Sequence, residues 1–213
     1  LEAYEWVLRG QQVITGYTVT LFVTIVGALL SLTLMSALAF AMSNKRFKLR
    51  TPLAFYVYFT MIFSGGIIPW YITMRSVGLY DNVWALIVPM VMNPWWVLIM
   101  RNFFSALPSE VLESARIDGA SDVQILLRIV LPLSTPVLAT VSLFVAVAYW
   151  NDWWHGVMLL DFAEFRPLQV IILRIINNIR AIREAMAVPG STITIDMSQV
   201  PALSIRMALS LIH

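Results

Sequence analysis

Glu113-Ser-Ala-Arg-Ile-Asp-Gly119-Ala-Ser-Asp-Val-Gln-Ile-Leu-Leu-Arg-Ile129-Val-Leu131-Pro132 is a charged island between two strongly apolar segments. Pro108-Ser109 opens a first helix, with Ser109 as the expected N-cap and Glu110 in the first turn against the helix dipole. Val111, Leu112 and Ala115 give it an apolar face, while Glu113, Arg116 and Asp118 are polar. Gly119 fits the position just past a helix, where left-handed backbone costs a non-glycine residue about 1–2 kcal/mol. Ser121 caps a second helix, with Asp122 in its first turn. Ile125, Leu126, Ile129 and Val130 carry an apolar stripe onward, and Pro132 bends the start of the next segment. The expected product is a short helix, a glycine turn, and a second helix rigidly continuous with a membrane helix. A partner that grips such an island moves the membrane helix with it.

The rest of the chain explains why that helix belongs in a membrane. Of 213 residues, 60% are hydrophobic and only 12% charged, with mean hydropathy +0.80. Soluble domains carry about 25% charged residues, so this chain has too few charges to clothe a soluble surface. The composition predicts an all-α polytopic membrane protein. A net charge of +2 gives no reason to invoke nucleic acid. Cysteine is absent, which removes disulfides and thiolate chemistry. Histidine occurs only at His155 and His213, and no helical pair of metal ligands exists.

Working outward from the island, four membrane spans are expected, at about 15–42, 52–74, 83–104 and 129–149, with the island filling a cytoplasmic loop over 105–128. The first is free of charge. Lys45, Arg46, Lys48 and Arg50 come directly after it in one short loop, which marks that loop as inside. Gly65-Gly66 and Pro69 should loosen or kink the second span. A span broken in lipid needs protein or water around its freed backbone groups. Asn93-Pro94 interrupts the third span, and the amide there serves either as glue between helices or as a polar group on a pathway. Residues 150–200 are expected outside, and Arg166, Arg174, Arg180 and Arg183 there are compatible with translocation of a long segment. Within them, Pro167 to Met186 reads as an amphipathic helix through Ile172, Ile175, Ile176, Ile179 and Ile182. Residues 201–213 read as the start of a further, truncated span. With both ends outside, the whole reads as a fragment of a longer protein with a span before Leu1 and another after His213.

Trp70, Tyr71, Tyr80, Trp84, Tyr149, Trp150, Trp153 and Trp154 gather at the expected outer ends. An aromatic belt at the interface explains them most simply, and a sugar-stacking surface at a pathway mouth is the sharper alternative. Trp95 and Trp96 sit deeper beside Asn93. With Trp150 and Asn151 they make up the candidate substrate pathway.

The island resembles the coupling motif of ATP-binding-cassette importer permeases, the binding-protein-dependent transport inner-membrane components. That motif runs Glu-Ala-Ala, three residues, Gly, nine residues, Ile-x-Leu-Pro. Glu113, Ala115, Gly119, Ile129, Leu131 and Pro132 stand at those spacings, and Ser114 replaces one small residue with another. Phe63-Ser-Gly-Gly-Ile-Ile-Pro69, Met100-Arg-Asn-Phe-Phe104 and Tyr149-Trp-Asn151 resemble recurring segments of the carbohydrate-uptake branch, above all permeases for aldouronate-like oligosaccharides. The resemblance implies an importer-permease helical bundle, usually of six spans, in the bacterial cytoplasmic membrane. It implies a second homologous permease subunit, cytoplasmic ATP-binding subunits and an extracytoplasmic sugar-binding protein as partners. Glu113, Ser114, Ala115, Asp118, Gly119, Ile129, Leu131 and Pro132 would then couple to the ATPase. ATP would be used by that partner, and no cofactor by this chain. The sequence itself has no Walker A loop, since neither Lys45 nor Lys48 stands after the required glycines. No nucleophile–base cluster suggests an enzyme. An ion-coupled secondary transporter or channel is the alternative, and it would place ionisable groups within the spans, where almost none stand.

Overall fold

The computed structural model describes residues 11–161 and 165–187, all of it helix, turn or loop. Its axis is α1 (Gln11–Ser43), the one described helix that is by itself long and apolar enough to cross a membrane. Along α1 the residues Gly16, Thr20, Val23, Gly27, Ser31, Met35 and Ala39 are all buried, three or four apart. Such a stripe lies on one face of a helix, and its small members let a neighbour approach closely. The neighbour is α8 (Thr135–Trp150), which buries Val137, Val141, Val145 and Tyr149 at intervals of four. A second partner is α4 (Pro94–Ser105), which buries Val97, Leu98, Met100 and Phe104.

Where α1 meets α8, polar groups lock the contact. Tyr149 is 3% exposed, and its phenol donates to the Ile87 carbonyl oxygen at 3.0 Å. That uses its one proton, so the Ser31 hydroxyl, 3.1 Å away, is the donor of the second bond. The Tyr149 ring fills the space left by the missing side chain of Gly27, where a Cβ would stand 2.6–2.9 Å from ring atoms.

The other expected spans are more broken than their hydropathy suggests. The segment 52–74 is two helices, α2 (Arg50–Ile62) and α3 (Ile67–Ser76), and neither reaches the length of a span. The kink expected at Gly65-Gly66 is a full break, because Gly66 takes φ +84°, a left-handed conformation that no helix contains. The segment 83–104 begins as two 3-10 turns, Val83–Leu86 and Val88–Met90, and continues into α4 after a 48° bend. Pro89 and Pro94 remove backbone donors there, while Asn82 caps the first of these turns and Asn93 caps α4. Asn93 thus serves its own helix: its side-chain oxygen accepts from the Trp95 N–H at 3.0 Å.

The segment 129–149 also departs from a straight span. The island's second helix begins as α6 (Asp122–Ile125), widens into a π turn over Leu126–Val130 and closes as α7 (Leu131–Leu133). It then meets α8 at 85°. The expected rigid continuity is therefore a sharp elbow at Ser134, with Pro132 before it, Pro136 after it and a π turn leading in. Counting each bent pair as one crossing gives up to three spans among the described residues, against the four expected.

Beyond α8, the short α9 (Trp154–Leu159) leads to α10 (Leu168–Ala187), close to the expected limits of 167–186. Its docked end differs from the expected stripe. Val170 is fully buried, Ile171 packs over Gly16, and the Leu168 N–H donates to Thr20 Oγ1 at 2.9 Å, while Ile172 and Ile176 are exposed. The loop expected at 188–200 and the apolar start over 201–213 lie outside the described residues.

Candidate coupling element and pathway cavity

The island folds as two helices held at a fixed angle by their own caps. The first, α5, spans Ser109–Ile117. Ser109 is its first helical residue, not its cap: Pro108 holds the N-cap place and no side chain caps it. The far end is closed more firmly. Gly119 takes φ +83°, the Ala120 N–H donates to the Ala115 carbonyl at 3.0 Å and the Gly119 N–H to that of Arg116 at 3.0 Å. This pair of bonds is a Schellman closure, which depends on the left-handed residue. Two residues later Ser121 and Gln124 form a reciprocal capping box: Gln124 Oε1 accepts from the Ser121 N–H at 2.8 Å and Ser121 Oγ from the Gln124 N–H at 3.3 Å. Arg116 ties the parts together, its Nη2 lying 3.4 Å from Asp122 Oδ1 and 3.3 Å from Asn44 Oδ1 in the loop after α1.

One side of the island belongs to the bundle. Leu112, Ala115, Ala120, Leu126 and Leu131 pack against the core, and Ile125 and Val130 are buried in it. Ile129 is half-buried. The opposite side is open. Glu113, Ser114, Asp118, Gly119 and Pro132 are exposed, with the Ser114 hydroxyl donating to the Val111 carbonyl at 3.1 Å. Beside them stand two large apolar residues that sequence reasoning passed over, Ile117 at 85% exposure and Val123 at 66%. Ile117 is legible as an outlier: five residues past Leu112, it falls off the Val111–Leu112–Ala115 face.

The candidate pathway residues do not form one group. Asn93 and Trp96 line a cavity of about 250 Å3, together with Met90, Val145 and Tyr149. Trp96 also stacks on Phe144, ring centres 5.2 Å apart. Trp95, 57% exposed, is not among the lining residues. Trp150 is also outside the cavity and meets the edge of Tyr17 at 5.7 Å, while the Asn151 amide turns back to the Val147 carbonyl at 2.9 Å. Tyr149, grouped in the sequence with the interfacial aromatics for which an aromatic belt is the simpler reading, lines this cavity and ties it to α1.

The aromatic residues at the other end of the bundle pair among themselves. Trp70 lies 4.6 Å from Trp154 and 5.6 Å from His155, whose Nδ1 is 2.9 Å from Asp152 Oδ1. Nearby, the Arg75 guanidinium covers the Tyr80 ring at 4.7 Å, and the Tyr80 hydroxyl donates to Asp161. That bond, with partial loss of water and a second contact from Tyr71 behind it, pushes the Tyr80 phenol up to about 12. The folded value lies above the ordinary one near 10, so the link is whole below pH 10 and is lost as pH rises through about 12. An ultraviolet titration of wild type minus Tyr80→Phe should show this late midpoint, and Asp161→Asn should bring it back toward 10. A midpoint unmoved by Asp161→Asn would show that the carboxylate is not its cause. Among the described residues no group of three or more metal-ligating side chains converges.

Comparison with known proteins bears on this arrangement. Residues 34–195 match the family of binding-protein-dependent transport system inner membrane components. The chain is 39% identical over 209 residues to the polygalacturonan/rhamnogalacturonan transport system permease protein YtcP of Bacillus subtilis (strain 168), covering 98% of this chain and 71% of that one. It is 41% identical over 175 residues to protein LplC of the same organism, covering 82% of this chain and 59% of that one. Among solved structures, a bacterial ABC transporter involved in the import of the acidic polysaccharide alginate superposes with a TM-score of 0.80 at 36% identity. That match covers 83% of this chain and 63% of the other. The helical architecture is thus that of an ABC transporter permease, and these relatives lend no support to an ion-coupled carrier.

Proposed function

Because this chain belongs to the binding-protein-dependent transport system inner membrane components, we propose that it forms part of the translocation pathway of an ATP-driven oligosaccharide importer. In this reading it sits as a multi-pass subunit in the bacterial cytoplasmic membrane beside a second, homologous permease. An extracytoplasmic sugar-binding protein delivers the substrate, and the island carries ATP-driven movement from a cytoplasmic ATPase. ATP is bound and used by that partner, and this chain binds no cofactor.

The observation that carries the reading is the open side of the island. Ile117 and Val123 are large, apolar and exposed beside Glu113 and Asp118, on a turn rigidified by a Schellman closure and a capping box. A preorganised apolar knob in a charged rim is what a protein groove accepts, since little ordering entropy is lost on docking. The cavity beside Asn93, Trp96 and Tyr149 supports a sugar pathway, with aromatic surface for a pyranose face and an amide for its hydroxyls. One relative is named for polygalacturonan and rhamnogalacturonan and one solved relative for the acidic polysaccharide alginate, which favours a polysaccharide-derived and acidic oligosaccharide here.

Coupling comes from differential affinity. A ligand shifts a two-state equilibrium only as far as it prefers one state. ATP must therefore prefer the closed ATPase pair, and the island relays that preference to α8. Glu113→Lys should test the docking surface, because it inverts a charge on the exposed rim. The full-length protein, affinity-purified from its native membrane in mild detergent, should bring down an ATPase and a second permease. The Glu113→Lys variant should keep the permease and lose most of the ATPase, about tenfold for a loss of 1.4 kcal/mol. A wild type that purifies alone, or a variant that keeps its ATPase in full, would sink the reading.

A further inference from the structure

A second cavity, of about 190 Å3, lies between the end of α1, the loop after it, the end of α4 and the start of α5. It shares no residue with the pathway cavity, and only Glu113 with the open side of the island. Lys45 and Arg46 line it from the loop and Arg116 from the island. Glu113 is the one carboxylate on its wall, against these three cations. Ser105 and Ser109 add hydroxyls that bond to nothing among the described residues. The floor is apolar: Phe40 and Phe104 are 7% and 2% exposed. Both polar contacts of Arg116 run through Nη2, so the other edge of its fork is uncommitted among the described residues.

We propose that this cavity binds the phosphodiester headgroup of an anionic membrane lipid, which clasps the loop after α1 to the island. Guanidinium and ammonium groups with hydroxyl donors suit a phosphate oxygen cluster. The apolar floor beneath them suits a molecule that is charged at one end and hydrocarbon at the other, which a free phosphate is not. The location agrees: the cavity lies at the end of a 33-residue apolar helix, where the basic run 45–50 begins, and basic residues just past a span attract anionic headgroups. The lipid would hold Lys45 and Arg46 to Arg116 and so stiffen the island against the bundle. The inference rests on the membrane placement proposed above, although lipid binding is read without any ATPase.

Native mass spectrometry of the full-length protein, with whatever subunits it carries, tests this in neutral detergent with added phosphatidylglycerol. Wild type should retain a phosphatidylglycerol adduct on the permease. Lys45→Gln with Arg46→Gln should weaken retention about tenfold or more, since each cation near a headgroup contributes severalfold. Lys48→Gln with Arg50→Gln removes equal charge from the end of that loop and the first residue of α2, outside the cavity, and should leave the adduct in place. Equal loss in both double variants, or in neither, would overturn the site. An equal adduct with phosphatidylcholine would overturn the charge argument. Displacement of the adduct by millimolar inorganic phosphate would overturn the lipid as its source. An ATPase lost during purification does not change the count of lipids on the permease, so failure here and failure of the importer reading are separate results.

Discussion

Gly119→Val abolishes most transport while leaving the bundle folded: this is the expected result of placing a β-branched residue at φ +83°. No atom lies within 4 Å of the added Cβ, so the cost is conformational and not a clash. A left-handed residue other than glycine costs about 1–2 kcal/mol, and β-branching raises that further. The chain escapes by letting φ revert, which breaks the two Schellman bonds to Ala115 and Arg116. The angle between α5 and α6 is then no longer set, and the exposed Ile117 and Val123 are no longer held in one arrangement. Since α1, α4 and α8 pack without this turn, the thermal midpoint should fall by only a few degrees. Uptake by membrane vesicles carrying the complex should fall at least tenfold, as a docking loss of about 1.4 kcal/mol would give. Gly119→Asn, which tolerates the left-handed region, should restore much of it. Full uptake by a well-expressed Val variant would separate the turn from coupling.

The largest effect on stability should come from Gly27→Leu. Its Cβ would lie 2.6 Å from the Tyr149 ring, and that ring cannot retreat freely. The phenol is tied to Ser31 and to the Ile87 carbonyl in a buried site. Moving it either overpacks the contact between α1 and α8 or strands buried polar groups. Each costs about 1–3 kcal/mol, together on the order of 3 kcal/mol or more. For a chain of this size that corresponds to about 10 °C in the thermal midpoint. Gly65→Ala makes the matched control: its nearest neighbour is a Pro69 carbon at 3.7 Å, an ordinary contact, so its midpoint should barely move. Equal shifts in the two variants would mean that the Tyr149 contact is not what holds these helices.

What the sequence made legible is what depends on composition and short-range chemistry. The apolar run of α1, the left-handed Gly119 and the Ser121 cap each depend on a few neighbouring residues, and each is present. The membrane class and the permease family were equally readable, one from scarcity of charge, the other from the spacing of Glu113, Gly119 and Pro132. Hydropathy failed at the breaks. It averages over a window, so residues 52–74 score as one span although a non-helical stretch over 63–66, from the extended Phe63 to Gly66 at φ +84°, divides them. The elbow at Ser134 was hidden for the same reason: Pro132 advertised a bend, but its size depends on the π turn ahead of it and on packing that no local pattern encodes. The cavity was only half legible. Asn93 and Trp96 were named from their depth, whereas Tyr149 entered as a belt residue because its partners are 118 and 62 residues away in sequence.

If the island carries an ATPase's movement as proposed, the elbow at Ser134 decides what kind of motion reaches α8. Two helical rods meeting at 85° exchange direction: thrust along the first reaches the second almost entirely sideways. α8 would therefore be swung like a gatepost and not driven like a piston. A piston stroke would shear Tyr149 off Gly27 and break its bonds to Ser31 and Ile87, at every cycle. A swing pivoting near that contact leaves it whole. The bend lets the most tightly fastened joint of the bundle serve as the fulcrum.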